Sequence, residues 1–303
     1  MGEFTYSERV EINKPSVDDA SEEYQDLLRQ VLFQNIDFVR VVVISDFHCG
    51  HRTGLTPPGF VSKLSSDDPF YKERVELWNI YADLIEQVSP IDVLIINGDL
   101  IEGKGYRSGG TELISGDRVV QVEMACKCIE YIDPAPKHIY ITYGTPYHSG
   151  RSEDWEKEVA VRVGADEISD RLFLSINDTI LDVRHFIPNS TVPHTRGTSV
   201  SRDKLWNILW AERGQQPKAD ILIRSHVHAY VACEDMLGVS IITPALQGIG
   251  TKFGARKCSN VVDFGLLCID IYNEPLMDYC KKYTYAALIA VPDSQIIKPT
   301  IVV

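Results

Sequence analysis

The sequence predicts an α/β fold in which buried sheets are covered by helices. Two observations carry the prediction. Short, β-branched apolar runs alternate with segments of helical periodicity, and the runs are apolar nearly throughout, as strands buried on both faces must be. A third observation gives the fold a working edge: five of the runs stop abruptly at a residue able to hold a metal ion.

Taken in order, residues 1–20 are polar and read as irregular, and 21–34 (SEEYQDLLRQVLFQ) carry Leu27, Leu28, Val31 and Leu32 at helical spacing. These belong to an N-terminal extension, 1–37, ahead of a single domain over 38–303. FVRVVVIS (38–45) leads into Asp46-Phe47-His48, and IDVLIING (91–98) into Asp99. KHIYITYG (137–144) leads into Thr145 and then His148. DTILDVR (178–184) leads into His185, and ADILIRS (219–225) into His226-Val227-His228. Between them, 71–88 places Val75, Trp78, Ala82 and Ile85 on one helical face and Leu77, Tyr81, Leu84 and Val88 in a second row. Residues 116–132 and 201–214 also read as helices, the latter closing on Gly214. After 235 the pattern turns strand-like, in VSIITPAL and FGLLCIDIYN.

Composition limits the function. The 303 residues carry a net charge of −13, with no basic stripe of the kind a non-specific duplex binder uses. No apolar run approaches the ~20 residues of a bilayer span, and the first residues lack the apolar stretch of a signal peptide. The seven cysteines are scattered without CxxC spacing and read as buried small hydrophobes. A reducing cytoplasm and no membrane partner are the expectation.

The chemistry lies at the strand ends, where open α/β sheets place their ligand sites. Asp46 with His48, and His226 with His228, are spaced i, i+2, which in an extended backbone sets both side chains on one side. Of eight histidines, five (His48, His148, His185, His226 and His228) fall at these ends. Imidazole with carboxylate and no thiolate suits Mn²⁺, Fe, Zn²⁺, Co²⁺ or Ni²⁺. Six or seven such ligands over-supply one ion and fit two. Two ions ~3.5–4 Å apart generate a bridging hydroxide and clamp a phosphoryl group.

The ordered segments SDFH (45–48), GDLIE (98–102), GTPYH (144–148), RH (184–185) and SHVH (225–228) resemble the five signature blocks of the calcineurin-like metallophosphoesterases. The resemblance implies a four-layer α/β/β/α sandwich of two mixed sheets flanked by helices. It implies a dinuclear phosphoester hydrolase, Mn²⁺ being the first expectation, acting on a phosphodiester of nucleotide or nucleic-acid type. A phosphomonoesterase is the second reading, and a non-catalytic metal-binding scaffold on the same fold is the reading from another class.

By the resemblance, Asp46, His48, Asp99 and His228 hold the first metal, Asp99 bridges, and His185 and His226 hold the second. Glu102 would orient a ligand. Two blocks depart from the pattern. Ser225 replaces a glycine, and the metal-binding asparagine of the third block is absent. Either Thr145 takes its place while His148 protonates the leaving group, or His148 itself becomes a ligand. His194 competes with His185 for the fourth block and is otherwise a candidate substrate contact. His51, Lys104 and Arg107 are further candidates to meet a phosphate, although the glycines around Lys104 do not form a phosphate-binding loop.

Overall fold

The computed structural model describes residues 37–61, 67–106, 108–150, 154–190, 192–250, 262–275 and 280–295. The helix expected over 21–34 lies outside them.

Two sheets form the middle of the molecule. The first runs through β1 (Phe38–Ile44), β2 (Val93–Asn97), β3 (His138–Thr142), β4 (Glu167–Ser169), β10 (Phe264–Tyr272) and β11 (Tyr283–Ala290), in the order β11-β10-β1-β2-β3-β4. The second contains β5 (Leu172–Ile176), β6 (Thr179–Val183), β7 (Ile221–Arg224), β8 (Val231–Asp235) and β9 (Gly238–Ile242), in the order β5-β6-β7-β9-β8. Both are mixed. β1, β2, β3 and β4 are parallel, as are β6, β7 and β9, while β10, β11, β5 and β8 run antiparallel to their neighbours.

Strand alternation sorts the core into layers. Val41, Val43, Val93, Ile95 and Ile269 point inward to meet Leu181, Val183, Ile221, Ile223 and Ile241 of the second sheet. The alternate residues Val42, Ile44, Leu94 and Ile96 point the other way. They pack with α2 (Tyr71–Val88), α3 (Arg118–Glu130) and α5 (Trp155–Val163). α1 (Pro58–Val61) and α4 (Pro146–Ser149) are single turns. On the far side of the second sheet lies α6 (Arg196–Glu212), which inserts Val200 against Ile187 and Ile242. The result is the four-layer α/β/β/α sandwich.

Local sequence explains the helix limits. In α2 the Leu77, Tyr81, Leu84 and Val88 row is the buried one, joined by Trp78 and Ile85, while Val75 and Ala82 lie at its margin. The Asp117 carboxylate caps α3 by accepting the Val119 N–H. α6 begins earlier than its apolar pattern, at Arg196, because the 3₁₀ turn Pro193–Thr195 feeds directly into it. It ends as expected, with Gly214 at φ +67° just beyond.

The two sheets are also tied by polar groups at their carboxyl ends. Asn97, at the end of β2, receives the Thr142 hydroxyl on its side-chain oxygen and donates from Nδ2 to Ser225 Oγ at 2.6 Å. Ser225 in turn meets Thr243 Oγ1 at 2.7 Å, and Thr243 meets Ser45 Oγ at 3.0 Å. All five residues are fully buried, so this ladder is the floor on which the strand-end residues stand.

Candidate metal centre

Five of the functional side chains leave their strands through sharp turns. Asp46, His48, Asp99, His226 and His228 all adopt left-handed backbone conformations, with φ between +46° and +72°. The extended-backbone account of the i, i+2 pairs is therefore corrected: turns, not pleats, bring these side chains together. Cross-strand bonds hold the turns, with Asp46 N–H donating to Gly98 O and His48 N–H to Asp99 O, both at 3.0 Å. Two glycines make room. A Cβ on Gly98 (φ +76°) would lie 2.6 Å from the His185 ring, and one on Gly144 would lie 2.2 Å from Asp99.

Three groups of ligand atoms result: Asp46, His48 and His228; Asp99, His185 and His226; and His48, Glu102 and His148. In the first, His228 Nε2 is 3.1 Å from Asp46 Oδ1 and 3.3 Å from His48 Nε2. In the second, His185 Nε2 is 3.1 Å and His226 Nδ1 3.8 Å from Asp99 Oδ2. The groups touch, since His185 Nε2 is also 4.0 Å from Asp46 Oδ1.

The histidines are oriented as ligands are. His48 donates Nδ1–H to Glu102 Oε2 at 2.9 Å, His185 to Asn97 O at 2.6 Å, and His148 to Glu102 O at 3.0 Å. Each thereby presents Nε2 to the centre, the arrangement seen when a histidine's second nitrogen is fixed by a carbonyl or carboxylate. His185 Nε2 is buried and makes no hydrogen bond, although Asp99 is close. Such a set of converging lone pairs fits a cation.

Electrostatics agree. Burial opposes ionisation of Asp46 and Asp99, yet the surrounding imidazoles hold both well below the usual carboxylate range. Burial likewise opposes protonation of His185, but Asp99 and Asp46 raise its pKa to about 9. His48 is raised too, against its burial, by Asp46 and Glu102. The two buried carboxylates thus require positive charge beside them, the charge a bound cation would bring.

The remaining candidates divide. Glu102 is buried against His48 and His148. Thr145 stands against Asp99; its N–H reaches Asp99 Oδ1 at 2.7 Å and its Oγ1 at 3.2 Å, so it steadies that carboxylate. His148 Nε2 stands 3.9 Å from Asp99 Oδ2. His51 is buried and accepts the Thr53 N–H on Nδ1, and burial lowers its pKa to about 3. His194, on the 3₁₀ turn, and Lys104 are exposed and in none of the three groups. Arg107 lies outside the described residues.

Sequence reasoning missed Glu156. It is fully buried on α5, where its Oε1 accepts the Leu100 N–H at 3.1 Å and its Oε2 the Gly144 N–H at 2.7 Å. In a run such as SEDWEKE it is indistinguishable from a solvated helix acid. It missed as well the aromatic rings beside the centre. Phe186, 50% exposed, packs 5.0 Å from the His226 ring. Tyr147 lies 4.7 Å from His148, and Tyr106, 68% exposed, packs against Tyr147.

The fold and the site together define an α/β/β/α sandwich with a buried histidine–carboxylate cluster at its strand ends. No family model and no curated protein matches the sequence. Among solved structures it is similar to zinc-complexed Vps29 of Entamoeba histolytica, at 14% identity and a TM-score of 0.39 over 83% of this chain and 99% of that one. It is similar to vacuolar protein sorting 29 of Cryptosporidium parvum, at 13% and 0.40 over 84% and 99%. An archaeal phosphodiesterase is similar at 15% and 0.39 over 82% and 100%.

Proposed function

We propose that this protein is a metal-dependent phosphoester hydrolase of the calcineurin-like type, with two divalent ions held by Asp46, His48 and His228 on one side and Asp99, His185 and His226 on the other. One observation carries the reading: two adjoining carboxylate–imidazole triads bring ring nitrogens and carboxylate oxygens to a common centre. Mn²⁺ is the first candidate, with Fe, Zn²⁺, Co²⁺ and Ni²⁺ also matching the donor set. Such ions neutralise phosphoryl oxygens and lower the pKa of the attacking water.

The chain's own residues do the remainder. Glu102 holds the His48 ring, and Thr145 holds the Asp99 carboxylate. We assign His148 to the ligand neighbourhood rather than to leaving-group protonation. Its Nδ1–H is committed to the Glu102 carbonyl, and burial lowers its pKa, so Nε2 is a lone-pair donor. A phosphodiester of nucleotide or nucleic-acid type is the favoured substrate. The exposed rings of Phe186 and Tyr106 flank the centre where a base could stack, a contact worth ~1–3 kcal/mol.

The test is metal analysis of the purified protein, followed by turnover of bis- and mono-p-nitrophenyl phosphate with Mn²⁺. The expected result is bound divalent metal and faster cleavage of the diester. Asp99→Ala or His228→Ala should lower that rate at least 100-fold, and full activity in either variant would contradict the assignment. A scaffold role is favoured by a separate observation, the outward Leu205, Trp206, Leu209 and Trp210 of α6. It predicts sub-stoichiometric metal and no turnover.

A further inference from the structure

Glu156 has no evident structural reason to be an acid. It is fully buried, and no lysine or arginine is among the main groups acting on its carboxyl in the described residues. Burying a carboxylate without a cation is costly. What the carboxylate does have is two backbone partners, and both belong to turns of the metal centre. Leu100 directly follows Asp99. Gly144 directly precedes Thr145, whose N–H and hydroxyl bond the Asp99 carboxylate. The Gly144 turn is pressed so closely onto Asp99 that no side chain fits there.

Resting on the metal reading above, we propose that Glu156 is a positioning residue for the centre: it clamps the Leu100 and Gly144 amides in one carboxylate and so aims Asp99 from both sides. The clamp accounts for the third block as well. That turn contributes no asparagine ligand; it contributes Thr145 as a brace on Asp99, and Glu156 locks the brace. Only a carboxylate offers two acceptors in this geometry. A glutamine would satisfy one amide and turn its own NH₂ toward the other.

The test compares wild type, Glu156→Gln and Glu156→Asp by calorimetric titration of the metal-free proteins with Mn²⁺, and by the visible spectrum of the Co²⁺-loaded forms. Turnover of bis-p-nitrophenyl phosphate is followed in parallel. Glu156→Gln should bind metal ~10–100-fold more weakly, the range for residues that orient a ligand from behind. It should also shift the Co²⁺ bands and lower kcat with little change in KM. Glu156→Asp keeps the carboxyl group but is one methylene shorter, so it should lose part of the affinity; it serves as the readout if the glutamine variant does not fold. Wild-type affinity and spectrum in a folded variant would overturn the proposal, whatever its melting temperature. A wild-type protein that takes up no divalent ion would instead overturn the metal reading, and this inference with it.

Discussion

Five of the candidate ligands occupy a backbone region that residues other than glycine avoid, at a cost of ~1–3 kcal/mol each. The residue types were readable from the sequence, because histidine and aspartate at the ends of apolar runs stand out. Their conformation was not, because it is imposed by partners far along the chain, such as Gly98 O for Asp46 and Asp99 O for His48. Glu156 was hidden for the same reason: its meaning comes from amides 56 and 12 residues away. Strain at a functional residue leads to a prediction. His226→Gly, relieving φ +72°, should raise the melting temperature of the metal-free protein by a few degrees while weakening metal uptake. Calorimetry in chelator checks it, and a lower melting temperature would show that the His185 and Phe186 contacts outweigh the strain.

At the scale of elements, periodicity located β1, β2, β3, β6, β7 and three of the helices well. It overlooked the short β4 and the edge strands β5, β8 and β11, whose partly exposed faces lack a continuous apolar run. The helix α6 is inverted relative to the usual pattern. It buries Lys204, which bonds Asp235 and Gly238 O, and Asn207, which receives the Ala219 N–H, while Trp206 and Trp210 face outward. Spacing alone cannot reveal which stripe of a helix faces the sheet. In α2, burial raises the pKa of Glu73 to about 6 despite the bond from Gln295. A carboxyl whose folded pKa lies above its unfolded value costs nothing below pH ~4.5, and it destabilises increasingly as pH rises through 6. Glu73→Gln should therefore stabilise the protein by ~1–2 kcal/mol at pH 8 and have almost no effect at pH 4.5. Denaturant melts at the two pH values give the comparison, and an equal effect at both would refute the assignment.

For the whole molecule, the two-sheet sandwich was not contained in the strand pattern. Alternation predicts buried sheets but not how many, and that part came from the ordered blocks. Each triad combines both sheets: Asp46 and His48 with His228, and Asp99 with His185 and His226. Neither of these two triads is completed by one sheet alone, so an ion bound in either would cross-link the two. Ligand binding only to the folded state stabilises it by ~2.7 kcal/mol at 100 times the dissociation constant. Mn²⁺ at that level should raise the melting temperature by on the order of 5 °C in the wild type and by clearly less in Asp99→Ala, which keeps only the Asp46, His48 and His228 triad. Scanning calorimetry with and without metal tests this, and no shift in the wild type would count against ions at the centre.

The pairing of β1 with β10 sets an order of events during synthesis. Val41 lies opposite Ile269, so β1 keeps one bare edge until more than 200 further residues, through β10, have left the ribosome. Every candidate ligand, from Asp46 to His228, has emerged before then. A metal ion could therefore meet its complete set of side chains while the six-stranded sheet still lacks two strands, and the nascent chain would expose an unpaired, apolar β1 edge until β10 arrives.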